Sequence, residues 1–120
     1  MSMTTPDPAD LPLDPALDAR LTELRNRFRG VLPQRMDSIV TRLATLGVGV
    51  WDGAIREDLK TEVHSLAGSA GLFGYEQIGV AASALERLIM RVAKQPAASQ
   101  ADMDDIQSLV SRLKDAVDAA

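Results

Sequence analysis

The chain of 120 residues contains no cysteine. That excludes a disulfide, a thiolate zinc site and a cysteine nucleophile. Aromatic residues make up only 3%. A core must therefore come from Leu, Val, Ile, Ala and Met, which suits closely packed helices better than stacked sheets. Basic charge is not in excess: 13 Lys and Arg face 17 Asp and Glu, for a net charge of −4. A nucleic-acid binder would normally present a basic face, so that class is disfavoured. No apolar run approaches the roughly 20 residues needed to span a bilayer. The opening ten residues are polar and proline-bearing, without the apolar core of a signal peptide. The expected compartment is the cytoplasm, with no membrane association.

What is present is ordinary for one soluble globular domain: 46% apolar and 25% charged residues. Residues 1–13 carry Pro6, Pro8 and Pro12 and little to bury. They read as a disordered leader. Asp14-Pro15 reads as a helix start, with Asp14 as cap and Pro15 at the first helical position. From there Leu17, Leu21, Leu24, Phe28, Leu32, Met36, Ile39, Leu43 and Leu46 recur at the α-helical period. The phase survives Gly30 and Pro33. This predicts one long helix over 15–47, bent near Pro33, with a clean break at Gly30 as the alternative. Such a helix outruns its neighbours, so one end should overhang.

Gly47-Val48-Gly49 ends that helix, and Asp52 can cap the next, expected over 53–73. Trp51 is expected to cover the bundle end. A third helix is expected over 76–94, with Ile78, Ala82, Leu85, Ile89 and Val92 inward. A fourth is expected over 100–118, opened by a box-like Ser99-Gln100-Ala101-Asp102. The short connections predict an all-α, antiparallel up-down-up-down four-helix bundle over 14–120.

The second helix holds the only histidine. Ile55, Leu59, Val63, Leu66, Ala70 and Phe73 form its core stripe, and His64 falls roughly opposite the stripe's centre. Gly68 and Gly71 follow on the histidine's side. Each glycine inside a helix costs roughly 1 kcal/mol relative to alanine. Two on an exposed face suggest that something must come close. His64 has no ligand cluster around it, so a metal site is not expected. Ser65 and Ser69 project away from the ring and are not placed for activation. What remains is the imidazole itself. Near neutral pH an imidazole is largely uncharged, with a lone pair on one ring nitrogen. It can attack a phosphoryl group delivered by another protein.

The run His64-Ser65-Leu66-Ala67-Gly68-Ser69-Ala70-Gly71-Leu72-Phe73-Gly74, with Leu85-Glu86 on the following helix, resembles histidine-containing phosphotransfer (HPt) domains. His64, Gly68 and Gly74 fit the family's histidine, its glycine four residues on and its glycine ten residues on. The resemblance spans residues 20–118. It implies that His64 exchanges phosphate, on Nε2, with the aspartate of response-regulator receiver domains, including those of hybrid histidine kinases. It also implies that Gly68 and Gly71 leave room for docking, and that Mg²⁺ belongs to the receiver, with no cofactor here. No kinase module or ATP site is expected, so the chain is not itself an enzyme. One position departs from the family, which commonly carries Lys or Arg three residues after the histidine, where this chain has Ala67. Lys60, one turn earlier, is the candidate replacement. The plain alternative is a solvated lysine paired with Glu57 or Glu62. A second functional reading is a helical docking module that binds a receiver or kinase without carrying phosphate. The acidic charge and single apolar face point to a monomer.

Overall fold

The structure, a computed structural model, describes residues 14–120. The segment expected to be a leader, 1–13, lies outside the described residues. Four helices follow in order: α1 (Pro15–Leu46), α2 (Gly53–Leu72), α3 (Glu76–Ala93) and α4 (Gln100–Asp118). Each boundary agrees with the sequence expectation within one residue. The caps explain why. The Asp14 carboxylate accepts from the Ala16 N–H at 2.8 Å, and Asp52 accepts from Ile55 at 2.9 Å. Ser99 and Asp102 make the reciprocal capping box of α4. The Asp102 carboxyl is held below its ordinary value, first by the Ser99 backbone N–H and then by the Ser99 hydroxyl.

α1 runs unbroken through Gly30 and Pro33, so the two-helix alternative is excluded. Pro33 is exposed, and its missing N–H frees the carbonyl of Arg29 on the solvent side, where water can satisfy it. The buried residues of α1 begin only at Phe28. Leu17 and Leu21 stay exposed, so the first three members of the long stripe lie outside the core. Residues 15–27 overhang by about 20 Å at 1.5 Å per residue.

The core is purely apolar, with no buried polar or charged residue among the described ones. Leu32 and Ile39 of α1, Leu59 and Leu66 of α2, Leu85 and Ile89 of α3, and Ile106 and Leu113 of α4 are almost wholly buried. Each such side chain contributes about 2 kcal/mol against exposure to water. The α1–α2 and α3–α4 connections meet at one end of the bundle, where Gly49 and Ala98 exchange two backbone hydrogen bonds of 2.9 and 2.8 Å. Trp51 is buried at this end and donates to the Gly47 carbonyl at 2.9 Å.

At the opposite end, the turn between α2 and α3 is pinned to α1. The Phe28 ring lies 5.3 Å from that of Phe73 and 5.6 Å from that of Tyr75, and Arg25 stacks over Tyr75. Gly74 makes the turn with φ +80°, a conformation that a side chain would strain. No helix among the described residues is long and apolar enough to cross a membrane.

Candidate functional site

His64 sits on α2 between Val63 and Ser65, and its side chain is 79% exposed. Val63 and Leu66, on the other side of the same turn, have no exposure at all. The imidazole therefore faces water because the helix spends its apolar stripe on the core. Gly68 and Gly71 are exposed on the same helix. A methyl group built at Gly68 or at Gly71 would meet nothing within 4 Å. No packing within the described chain requires glycine at either place.

The close helix contact is made elsewhere. A Cβ at Gly79 of α3 would lie 3.7 Å from the Ala67 carbonyl oxygen and the Gly71 nitrogen, and 3.9 Å from the Ala70 Cβ. These small residues let α2 and α3 approach closely. The approach brings α3 polar groups beside the histidine. His64 Nδ1 lies 2.8 Å from Glu86 Oε2 and 3.2 Å from Oε1. An ionised carboxylate can only accept, so Nδ1 carries the proton and donates it. The lone pair of the neutral ring is thereby placed on Nε2, the nitrogen not held by Glu86.

Three neighbouring basic residues of α1 and α2 are engaged. Lys60 Nζ lies 3.4 Å from Glu57 Oε1, and Arg56 Nε lies 3.4 Å from the same oxygen. Arg42 pairs with Glu62, which also accepts from the Ser38 hydroxyl at 3.0 Å. A fourth, Arg35 of α1, donates to the Ser65 hydroxyl at 2.9 Å. Ser65 is thus committed to α1 and is turned from the imidazole, as its helical position implies.

Beyond His64 toward the C-terminus of α2, a shallow hollow of about 550 Å³ runs between α2 and α3. Ala67, Gly71 and Gly74 form one wall, and Gly79, Ser83 and Arg87 stand on the other. The structure therefore brings Ala67, Gly68 and Gly71 together on the histidine's side of α2. It leaves Lys60 one turn to the other side, beside Glu57. Among the described residues no three of His, Cys, Asp and Glu converge as metal ligands would.

Periodicity along α2 could not find Glu86 or Arg87. Each lies more than twenty residues from His64 and reaches the site only through the register of two helices. For Glu86 the available signal was the family resemblance, which includes Leu85-Glu86 without giving it a role; for Arg87 there was only its helical spacing from Gly79 and Ser83.

No curated protein and no solved structure matches the chain. A family model described as Hpt domain matches residues 14–119, which covers all four helices and the histidine-bearing face. The chain belongs to the Hpt domain family, phosphocarrier modules of two-component systems that work with receiver domains.

Proposed function

We propose that this chain is a phosphorelay intermediate that accepts a phosphoryl group on His64 Nε2 from a receiver aspartate and passes it to another. The observation that carries this reading is the Nδ1–Glu86 contact of 2.8 Å on an imidazole otherwise open to solvent. In the forward step the Nε2 lone pair attacks the phosphorus of the receiver's aspartyl phosphate. The Nε2–P bond forms as the P–O bond breaks, and the aspartate leaves as a carboxylate. The ring becomes cationic, because its Nδ1 proton stays in place. The Glu86 carboxylate faces that developing charge and offsets it. In the reverse step the same proton makes the imidazole a better leaving group. A divalent magnesium ion on the receiver would neutralise charge on the transferring group.

Exposure matters as much as the tautomer. The donor is itself a folded domain, so its aspartate can reach Nε2 only over uncrowded ground. Gly68 and Gly71 provide that on the same side of α2, and neither is needed for internal packing. In the bacterial or eukaryotic cell the expected setting is the cytoplasm, where receivers and their kinases' catalytic parts reside. The chain acts as a monomer in this scheme.

The test is direct. A receiver domain phosphorylated beforehand should label this protein in an acid-labile, base-stable bond. His64→Gln should abolish the label while helicity, read by circular dichroism, stays the same. Label persisting in the variant would refute the assignment. If His64→Gln still binds its receiver and supports signalling in the cell, the chain is a docking module rather than a carrier.

A further inference from the structure

We infer that Arg87 of α3 supplies the positive charge that Ala67 leaves missing, holding the phosphoryl oxygens as the group sits on or arrives at His64. This rests on the phosphocarrier reading above and assigns a residue within it. A phosphoryl group on Nε2 brings close to two negative charges, while the positive charge it leaves on the ring is already faced by Glu86. Some cation must offset them, and the neighbours can be compared one by one.

Lys60 and Arg56 both lie 3.4 Å from a single Glu57 oxygen, which draws them toward the N-terminal side of His64, away from the hollow. Arg42 is paired with Glu62. Arg35 is on the α1 side of α2, donating to Ser65 at 2.9 Å. Arg87 differs from all four in its exposure and its place. It forms no ion pair with any described residue, and it is exposed. It also lines the same hollow as Ala67 and Gly71, from the opposite helix.

The ring's direction decides between the two sides of α2. Glu86 binds Nδ1 and draws the imidazole toward α3, away from Arg35. Arg87 follows Glu86 directly in sequence and is turned about 100° round α3 from it, onto the side that lines the hollow. A guanidinium presents up to five N–H groups in a planar fork suited to phosphoryl oxygens. Residue 67 lies only one turn beyond His64, about 4.5 Å along the axis. A basic side chain there would enter this hollow from the α2 wall. Here the hollow stays open on that wall; of the two charged residues on the α3 wall, Arg87 stands beside Glu86 at the His64 end and Glu76 lies about 16 Å away along the helix. Gly71 and Gly79, one on each wall, add no side chain to the hollow.

Phosphoramidate is the probe, because it phosphorylates histidine without any partner protein. Nε2 attacks its phosphorus, the P–N bond breaks and ammonia leaves. Labelling of His64 and the lifetime of the phosphohistidine would be followed by phosphorus NMR in wild type and variants. Arg87→Ala should slow labelling about fivefold and flatten its dependence on salt concentration. Arg87→Lys should fall between the two. Lys60→Ala should stay within about twofold of wild type. Adding Ala67→Lys to Arg87→Ala should restore labelling to within about twofold, which a loss of fold would not permit. Melting temperatures should be alike throughout.

Wild-type labelling and salt dependence in Arg87→Ala would overturn the assignment, and so would failure of Ala67→Lys to rescue a normally folded variant. In both cases the phosphocarrier reading would stand. If wild-type His64 takes phosphate from neither phosphoramidate nor any phosphorylated receiver, both readings fall together.

Discussion

Gly68→Ala should make this protein more stable and a poorer partner at the same time. Gly68 is inside α2, exposed, and its φ is not positive. A methyl group there would meet nothing within 4 Å. The substitution therefore adds no clash and removes no contact. What changes is the backbone: alanine is better than glycine in a helix by about 0.8–1 kcal/mol, partly because the unfolded chain has less freedom to lose. Gly68 lies only four residues from the end of α2, where helices fray, so a gain of about 0.5–1 kcal/mol is expected. For a domain of this size that raises the melting temperature by roughly 2–6 °C. Urea denaturation followed by circular dichroism would read it directly. A lower midpoint would refute the reasoning, because it would mean that something inside the fold does need the glycine. The functional half uses the same variant. The new methyl stands one turn from His64, on ground a receiver must cross. Overpacking a close contact costs about 1–3 kcal/mol, so transfer from a phosphorylated receiver should slow by roughly tenfold. Labelling by phosphoramidate, which needs no such clearance, should stay unchanged. A stabilised variant with undiminished receiver transfer would remove Gly68 from the docking surface.

Two other perturbations follow from the geometry. Glu86→Ala removes the acceptor that keeps the proton on Nδ1. Because His64 is 79% exposed, the contact is worth no more than about 1 kcal/mol, so transfer should slow about two- to fivefold. Glu86→Gln should be milder, since its amide oxygen can still accept from Nδ1; equal rates in all three proteins would dismiss Glu86 as a positioning residue. Asp102 is held below its ordinary value by the capping box, so its folded form favours the carboxylate. Its contribution is complete above the ordinary carboxylate range and is lost as pH falls through the lowered value. Asp102→Ala should therefore lower the urea midpoint at neutral pH, and the difference from wild type should shrink as pH falls below the ordinary carboxylate range.

Much of this protein can be read one helix at a time. Asp14, Asp52 and Ser99 mark where helices begin, because a cap acts within three residues of itself. The stripe Leu59, Val63, Leu66 and Ala70 fixes which side of α2 is buried, and hence that His64 faces out. The unbroken passage of α1 through Pro33 follows from the same periodicity. These are local consequences of a 3.6-residue turn. The stripe could not say where α1 stops being covered. Leu17 and Leu21 keep the pattern yet lie beyond the end of the neighbouring helices.

The tautomer of His64 and the standing of Arg87 were decided only when the helices packed. Each depends on the axial register of α2 against α3, and no single helix carries that information. The register is set by contacts far apart in the chain. Phe28 anchors Phe73 and Tyr75 at the turn, and Gly79 admits the backbone around Ala67 and Gly71. A histidine can announce its exposure through the spacing of its own helix. Which carboxylate holds it, and which cation stands across the hollow, are properties of two helices locked at one height.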